Sequence, residues 1–185
     1  KFKLNAQGQI DERNAVTCSA LEHKMGIHGN ATCVLNFDQA TGYLIGPENR
    51  GLNCMFTFMN SARIGTAIQG LAAAESSYQG ALRYAKERLA MRALTGPVRP
   101  DLAADPIIVH PAVRHMLLTQ KVFAEGSRAL AYYLASYADL AEASIDATTK
   151  QKAEDRLALL TPIAKAFMTE TGLEATKHGM QIFGG

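Results

Sequence analysis

Two kinds of hydrophobic patterning divide the chain. Up to about residue 45, short apolar runs alternate with turn chemistry. Lys1-Phe2-Lys3-Leu4 reads as the end of a strand, and Asn5-Ala6-Gln7-Gly8 as the turn after it. Val16 to Leu21 is a second predicted strand, and Gly26, Gly29 and Asn30 mark a loop. Thr32 to Phe37, with Thr and Val favouring extended backbone, is a third. Tyr43-Leu44-Ile45 reads as a short last strand ending at Gly46-Pro47.

From about residue 48 the period changes. Leu52 to about Arg92 holds no proline and is dense in Ala, Leu, Met and Arg, so it predicts one long helix stopped at Thr95-Gly96-Pro97. Gly51, Gly65, Gly70 and Gly80 weaken that helix and suit close approach of a neighbour. Pro97, Pro100 and Pro106 mark a connector, and Pro111 suits the first turn of a second helix. Val113, Leu117, Leu130, Leu134 and Tyr137 fall on one face of it. Asp139 to Thr149 is polar and reads as a helix end and a loop, with Asp146 suited to cap the next helix. Pro162 either starts a new helix or kinks one, and Ile163, Phe167 and Leu173 continue the pattern toward Gln181. The fold class is α+β, mostly α: the end of a small β-barrel-like domain (1–47), then an antiparallel helical bundle of three or four helices (48–185).

Composition narrows the function classes. Nearly half of the 185 residues are apolar, enough for a real core. A net charge of +2, with no Lys/Arg patch, argues against nucleic acid as a partner. No apolar run approaches the roughly 20 residues of a membrane span. Cys18, Cys33 and Cys54 are odd in number, widely spaced and free of any CxxC. They predict neither a disulfide framework nor a zinc site, but buried or partly buried thiols in a reducing, cytoplasmic compartment. His110 and His115 do not share a helix face, so no metal site is expected and capping or surface roles are. Met55, Met59, Met91, Met116, Met168 and Met180 read as core filler. The chain begins at Lys1 and stops at Gln181-Ile182-Phe183-Gly184-Gly185, which reads as a piece of a larger protein.

Four stretches, in order, resemble the acyl-CoA dehydrogenase family. They are Lys24-Met25-Gly26-Ile27-His28-Gly29 with Thr32 to Asp38; Leu44-Ile45-Gly46 with Gly51-Leu52; Met59 to Ile64 with Ala85-Lys86-Glu87-Arg88; and Gln181 to Gly185. The segment His110 to Leu117 and the Ala-rich long helix are similar to the larger bacterial branch, which includes 3-(methylthio)propanoyl-CoA dehydrogenase-like proteins.

The resemblance implies an FAD-dependent oxidoreductase of fatty acid metabolism that desaturates an acyl-CoA thioester. A Glu removes the α-proton and the flavin takes the β-hydrogen as hydride. It also implies electron-transfer flavoprotein as acceptor and a homo-oligomer. Arg88 matches the Arg that reaches the FAD diphosphate of a neighbouring subunit, and Gln181, Gly184 and Gly185 match the loop holding FAD across that interface. The family's aromatic and Gly after this Arg are missing, since Leu89-Ala90-Met91-Arg92 comes next, so Arg92 competes with Arg88 for the role. Asn60 and Arg63 match the acyl-CoA-contacting part of the long helix, where the family often has Asp at the position of Asn60.

No catalytic residue is assigned. The usual base lies beyond the Gln181 to Gly185 loop, and the alternative base position beside Arg63 is Ala62, which takes no proton. Glu75 and Glu87 stand too far along the helix. The piece alone is therefore expected to be inactive. The competing readings are a non-catalytic helical oligomerisation or binding module of the same fold, and an acyl-CoA oxidase.

Overall fold

The computed structural model describes residues 2–184, with Thr57 described by its backbone alone. It divides into two compact units, 1–54 and 55–185.

The first unit carries four strands: β1 (Phe2–Leu4), β2 (Ile10–Arg13), β3 (Val16–Leu21) and β4 (Cys33–Phe37). They form two antiparallel pairs, β1 with β2 and β3 with β4. Asn14 ties them to the loop after β4: its Nδ2 donates to the Thr41 carbonyl at 2.8 Å, and its Oδ1 accepts from Thr41 N at 2.9 Å. Phe2, Leu4, Val16, Leu35, Phe37 and Tyr43 line an open, mainly apolar hollow of about 820 Å³. Two expectations fail here. Ile10–Arg13 is a strand that alternation does not announce, because Asp11, Glu12 and Arg13 come after its only apolar residue. Tyr43-Leu44-Ile45 forms no strand.

The second unit is built on three long helices: α1 (Gly51–Glu87), α2 (Pro111–Ala143) and α3 (Ala147–Phe183). Their buried residues fall in three layers. Ala67 meets Leu134, Ala164 and Met168; Ala74 meets Ala124 and Ala175; Ala81 and Ala85 meet Leu117 and Ile182. From layer to layer the numbers rise on α1 and α3 and fall on α2. So α1 and α3 run parallel, and α2 runs against both. Buried positions recur every seven residues, as in Ala67, Ala74 and Ala81 or Thr161, Met168, Ala175 and Ile182. That period matches side-chain interdigitation at a shallow crossing angle of about 20°.

The stripe α1 turns inward is thin. It is Ala67, Gly70, Ala74, Ser77, Ala81 and Ala85, so backbones approach closely. A Cβ on Gly172 would stand 2.5 Å from the Gly70 carbonyl oxygen, which only glycine tolerates. Polar links join α1 to α2. Ser77 Oγ donates to Gln120 Oε1 at 2.9 Å, and Arg128 Nη2 donates to Glu75 Oε2 at 2.7 Å.

The helix ends agree closely with the sequence, with one exception. Pro111 opens α2, and Asp146 caps α3 by accepting from Thr149 N at 2.8 Å. Pro162 lies inside α3 rather than starting a helix. The exception is α1, which stops at Glu87 and not near Thr95. Past Glu87, backbone bonds to the far end of the connector replace helical ones: Ala90 N donates to Asp105 O, Asp105 N to Met91 O and Ile107 N to Arg88 O. A second correction concerns the methionines. Met168 is buried as expected, but Met55, Met91 and Met180 are exposed. The three cysteines are exposed as well, not buried.

Candidate functional site

The residues singled out by sequence lie toward opposite ends of α1. Arg88 comes directly after the last turn of α1. Its N–H donates to the Tyr84 carbonyl at 2.8 Å, and its carbonyl accepts from Ile107 N at 2.8 Å. The backbone is thus fixed while the exposed guanidinium has no hydrogen bond or ion pair among the described residues.

The last turn of α3 reaches the same end. Ile182 is buried among Ala81, Ala85 and Leu117, and Phe183 packs on Tyr84 with ring centroids 4.9 Å apart. The Phe183 ring lies 3.6 Å from where a Cβ on Gly80 would be. Those two anchors leave Gln181 and Gly184 exposed. Gly184 adopts the left-handed conformation, φ 95°, and its N–H donates to Met180 O at 3.1 Å and Gln181 O at 3.2 Å. A left-handed turn is glycine's conformation, and nothing lies within 4 Å of where its Cβ would be. Gly185 lies outside the described residues.

Arg92 is committed elsewhere. Its Nη1 donates to the Arg99 carbonyl at 2.9 Å and to Asp105 Oδ1 at 3.3 Å, and its Nη2 to the Leu102 carbonyl at 2.6 Å. Asp105, fully buried, is the hub of this connector. Its carboxylate also accepts from Ala93 N at 3.0 Å, Val98 N at 3.0 Å and Arg99 N at 2.7 Å. Burial raises its pKa, but the backbone donors and the Arg92 charge outweigh burial and hold it down to about 2. Next to this hub, His110 Nε2 donates to the Ala90 carbonyl at 2.9 Å. Sequence reading missed the hub. The available signal was an Asp directly before Pro106 in a connector with several exposed-looking prolines, too common to single out.

Asn60 and Arg63 lie near the start of α1, roughly 38 Å from Arg88 along the helix axis. The two do not share a pocket. Asn60 lines a cavity of about 360 Å³ with Ser61, Ile64, Glu142, Glu154 and Thr161. Arg63 instead stacks its guanidinium over Phe56, 5.4 Å from the ring centroid. Among the described residues no cluster of three or more His, Cys, Asp or Glu is arranged to hold a metal ion. No helix of the described residues is long and apolar enough to cross a membrane.

Residues 49–185 match the model of the acyl-CoA dehydrogenase C-terminal domain. The chain belongs to the acyl-CoA dehydrogenase family. It is 43% identical, over its whole length, to 3-methylmercaptopropionyl-CoA dehydrogenase of Ruegeria pomeroyi, covering 31% of that protein. It is 36% identical to butyryl-CoA dehydrogenase of Syntrophomonas wolfei, again over the whole chain and 31% of the relative. The solved structure of butyryl-CoA dehydrogenase from Megasphaera elsdenii superposes with a TM-score of 0.72 at 25% identity, over 96% of this chain and 40% of that one. The chain thus spans about a third of the length of these curated relatives. Acyl-CoA dehydrogenases are FAD-dependent; at the end of the bundle where α3 finishes, the Arg88 guanidinium is an uncommitted group with the donor chemistry to meet an anion such as a diphosphate.

Proposed function

We propose that this chain is the helical part, with the end of the preceding β domain, of an FAD-dependent dehydrogenase that introduces an α,β double bond into an acyl-CoA thioester. We take 1–47 as the β portion and 48–185 as the bundle. Supporting this reading is an Arg88 guanidinium with no partner among the described residues at the same end of the bundle as the exposed Gln181–Gly184 turn, in a chain of this family.

In this reading Arg88 pairs with the FAD diphosphate through its planar fork of donors. Gln181 and Gly184 are exposed at the same end, with Gly184 free of any side chain that would hold a phosphate away, and Gly185, outside the described residues, is proposed to join them by the resemblance alone. When bound, the flavin supplies the hydride acceptor for the β-hydrogen of the thioester. Asn60 and Arg63 contact the acyl-CoA, Arg63 through its donors and Asn60 from the cavity it lines. About 38 Å of helix between the two sets supports their serving different copies of the flavin, hence a homo-oligomer with flavin shared between subunits. Ala62 beside Arg63 provides no base, so the α-proton goes to a residue outside this chain. We further propose electron-transfer flavoprotein as the electron acceptor and a cytoplasmic location.

The test is anaerobic addition of 3-(methylthio)propanoyl-CoA and of butyryl-CoA to the intact flavin-loaded protein. Bleaching of the flavin absorbance, with a thioester product two hydrogens lighter, is expected. An unchanged spectrum with both, and with longer acyl thioesters, would overturn the reading.

A further inference from the structure

Cys18 lies on β3 and Cys33 on β4, neighbouring antiparallel strands. The ladder pairs Cys18 with Leu35, Ala20 with Val34 and Leu21 with Cys33. Two steps on β3 therefore match one on β4, and Ser19 is the extra, bulged residue. Side chains alternate along a strand, so Leu35 and Cys33 share one face of β4. Cys18, directly opposite Leu35, points to that face too. The two cysteines are thus diagonal neighbours on one face.

Diagonal pairs sit about 7–8 Å apart. A disulfide takes Cα separations up to about 6.8 Å. Closing the difference requires a shift of roughly 1 Å, and it falls where the ladder is already interrupted by the bulge. Both thiols are exposed, so an oxidant has access. Partial desolvation, then a hydrogen bond with the Cys18 side chain, keeps the Cys33 pKa above the ordinary thiol range. Cys33 is thereby held as a thiol beside Cys18. The Cys18 thiol itself donates to the Ala20 carbonyl at 3.3 Å, across the bulge.

We propose that Cys18 and Cys33 are a peroxide-sensitive dithiol that converts reversibly to a cross-strand disulfide. The Cys18 thiolate attacks one oxygen of a hydroperoxide; the O–O bond breaks, and the second oxygen leaves as water or an alcohol after taking a proton. Cys18 is then a sulfenic acid. The Cys33 sulfur attacks it, the S–S bond forms, the S–O bond breaks, and hydroxide leaves with the Cys33 proton as water. Two thiols are oxidised by two electrons and one peroxide is reduced. An external dithiol reverses the reaction by thiol–disulfide exchange.

The experiment treats the intact protein with a small excess of hydrogen peroxide, alkylates remaining thiols after denaturation, and maps the peptides by mass spectrometry. Expected are joint loss of the Cys18 and Cys33 thiols, a linked peptide pair two hydrogens lighter than the two thiol peptides together, alkylated Cys54, and full reversal by dithiothreitol. In Cys33→Ser, Cys18 is expected to stop at the sulfenic acid, trapped by dimedone, or to advance to the sulfinic acid. The wild-type map alone decides the matter should that variant fail to fold. Cys18 oxidised to sulfinic acid while Cys33 stays alkylatable, a link to Cys54 or to a second molecule, or thiols untouched by peroxide would each overturn the proposal.

Discussion

Gly70 on α1 and Gly172 on α3 meet backbone to backbone: a Cβ on Gly70 would lie 2.6 Å from the Met168 carbonyl carbon, and one on Gly172 2.9 Å from Gly70 Cα. The parallel pairing of α1 and α3 rests on this crossing. Replacing a helical glycine by alanine ordinarily gains up to about 1 kcal/mol. Here the methyl meets backbone, which cannot rotate away, and overpacking of this kind costs about 1–3 kcal/mol. Gly172→Ala is therefore expected to lower the unfolding midpoint. Gly65→Ala, with nothing within 4 Å of the added Cβ, is expected to raise it. Thermal melts of the two variants beside wild type check both signs.

Asp105 gives the connector an acid-sensitive lock. Its folded pKa, about 2, lies below the ordinary carboxylate value, so its stabilising effect is complete above that ordinary value and is lost as pH falls toward 2. Asp105→Asn keeps the shape but loses the charge that Arg92 and the backbone donors face. The variant is expected to melt several degrees lower at neutral pH. Between about pH 4 and 2 its midpoint should fall less steeply than that of wild type. Parallel acid limbs in the two proteins would remove Asp105 from this role.

Ser127 is 1% exposed, and its Oγ has no hydrogen-bond partner among the described residues. An unpaired buried hydroxyl costs about 1–3 kcal/mol. Ser127→Ala is expected to stabilise by about 1 kcal/mol, read from urea midpoints at unchanged slope. A loss of stability would mean that the hydroxyl is satisfied in solution.

Long-range order in the helices was legible because caps and breakers are local chemistry. Pro111 and Asp146 mark their helix starts from the side chain's own geometry. The premature end of α1 was not legible, since Arg88-Leu89-Ala90-Met91-Arg92 has good helix formers throughout. The helix is ended by Asp105, further along the chain, whose carbonyl takes the Ala90 N–H and whose carboxylate takes the Ala93 N–H, both of which a longer helix would use. The same distance effect hid the difference between Arg88 and Arg92. Both look alike on a helix, and only the fold spends one of them on the connector. The exposure of Met55, Met91 and Met180 also escaped prediction, because periodicity tells which residues are apolar but not which helical face has a partner.

The most direct test is a titration of the intact flavin-free protein with FAD, monitored by absorbance and fluorescence, for wild type, Arg88→Ala and Arg92→Ala. Losing a charge-assisted pair costs about 1.5–3 kcal/mol, or roughly ten- to a hundredfold in affinity. Arg88→Ala is expected to show that loss with an unchanged unfolding midpoint. Arg92→Ala is expected to lower the midpoint through the connector, with flavin affinity much less affected in the folded protein. Wild-type affinity in Arg88→Ala would contradict the assignment of this end of the bundle to the flavin.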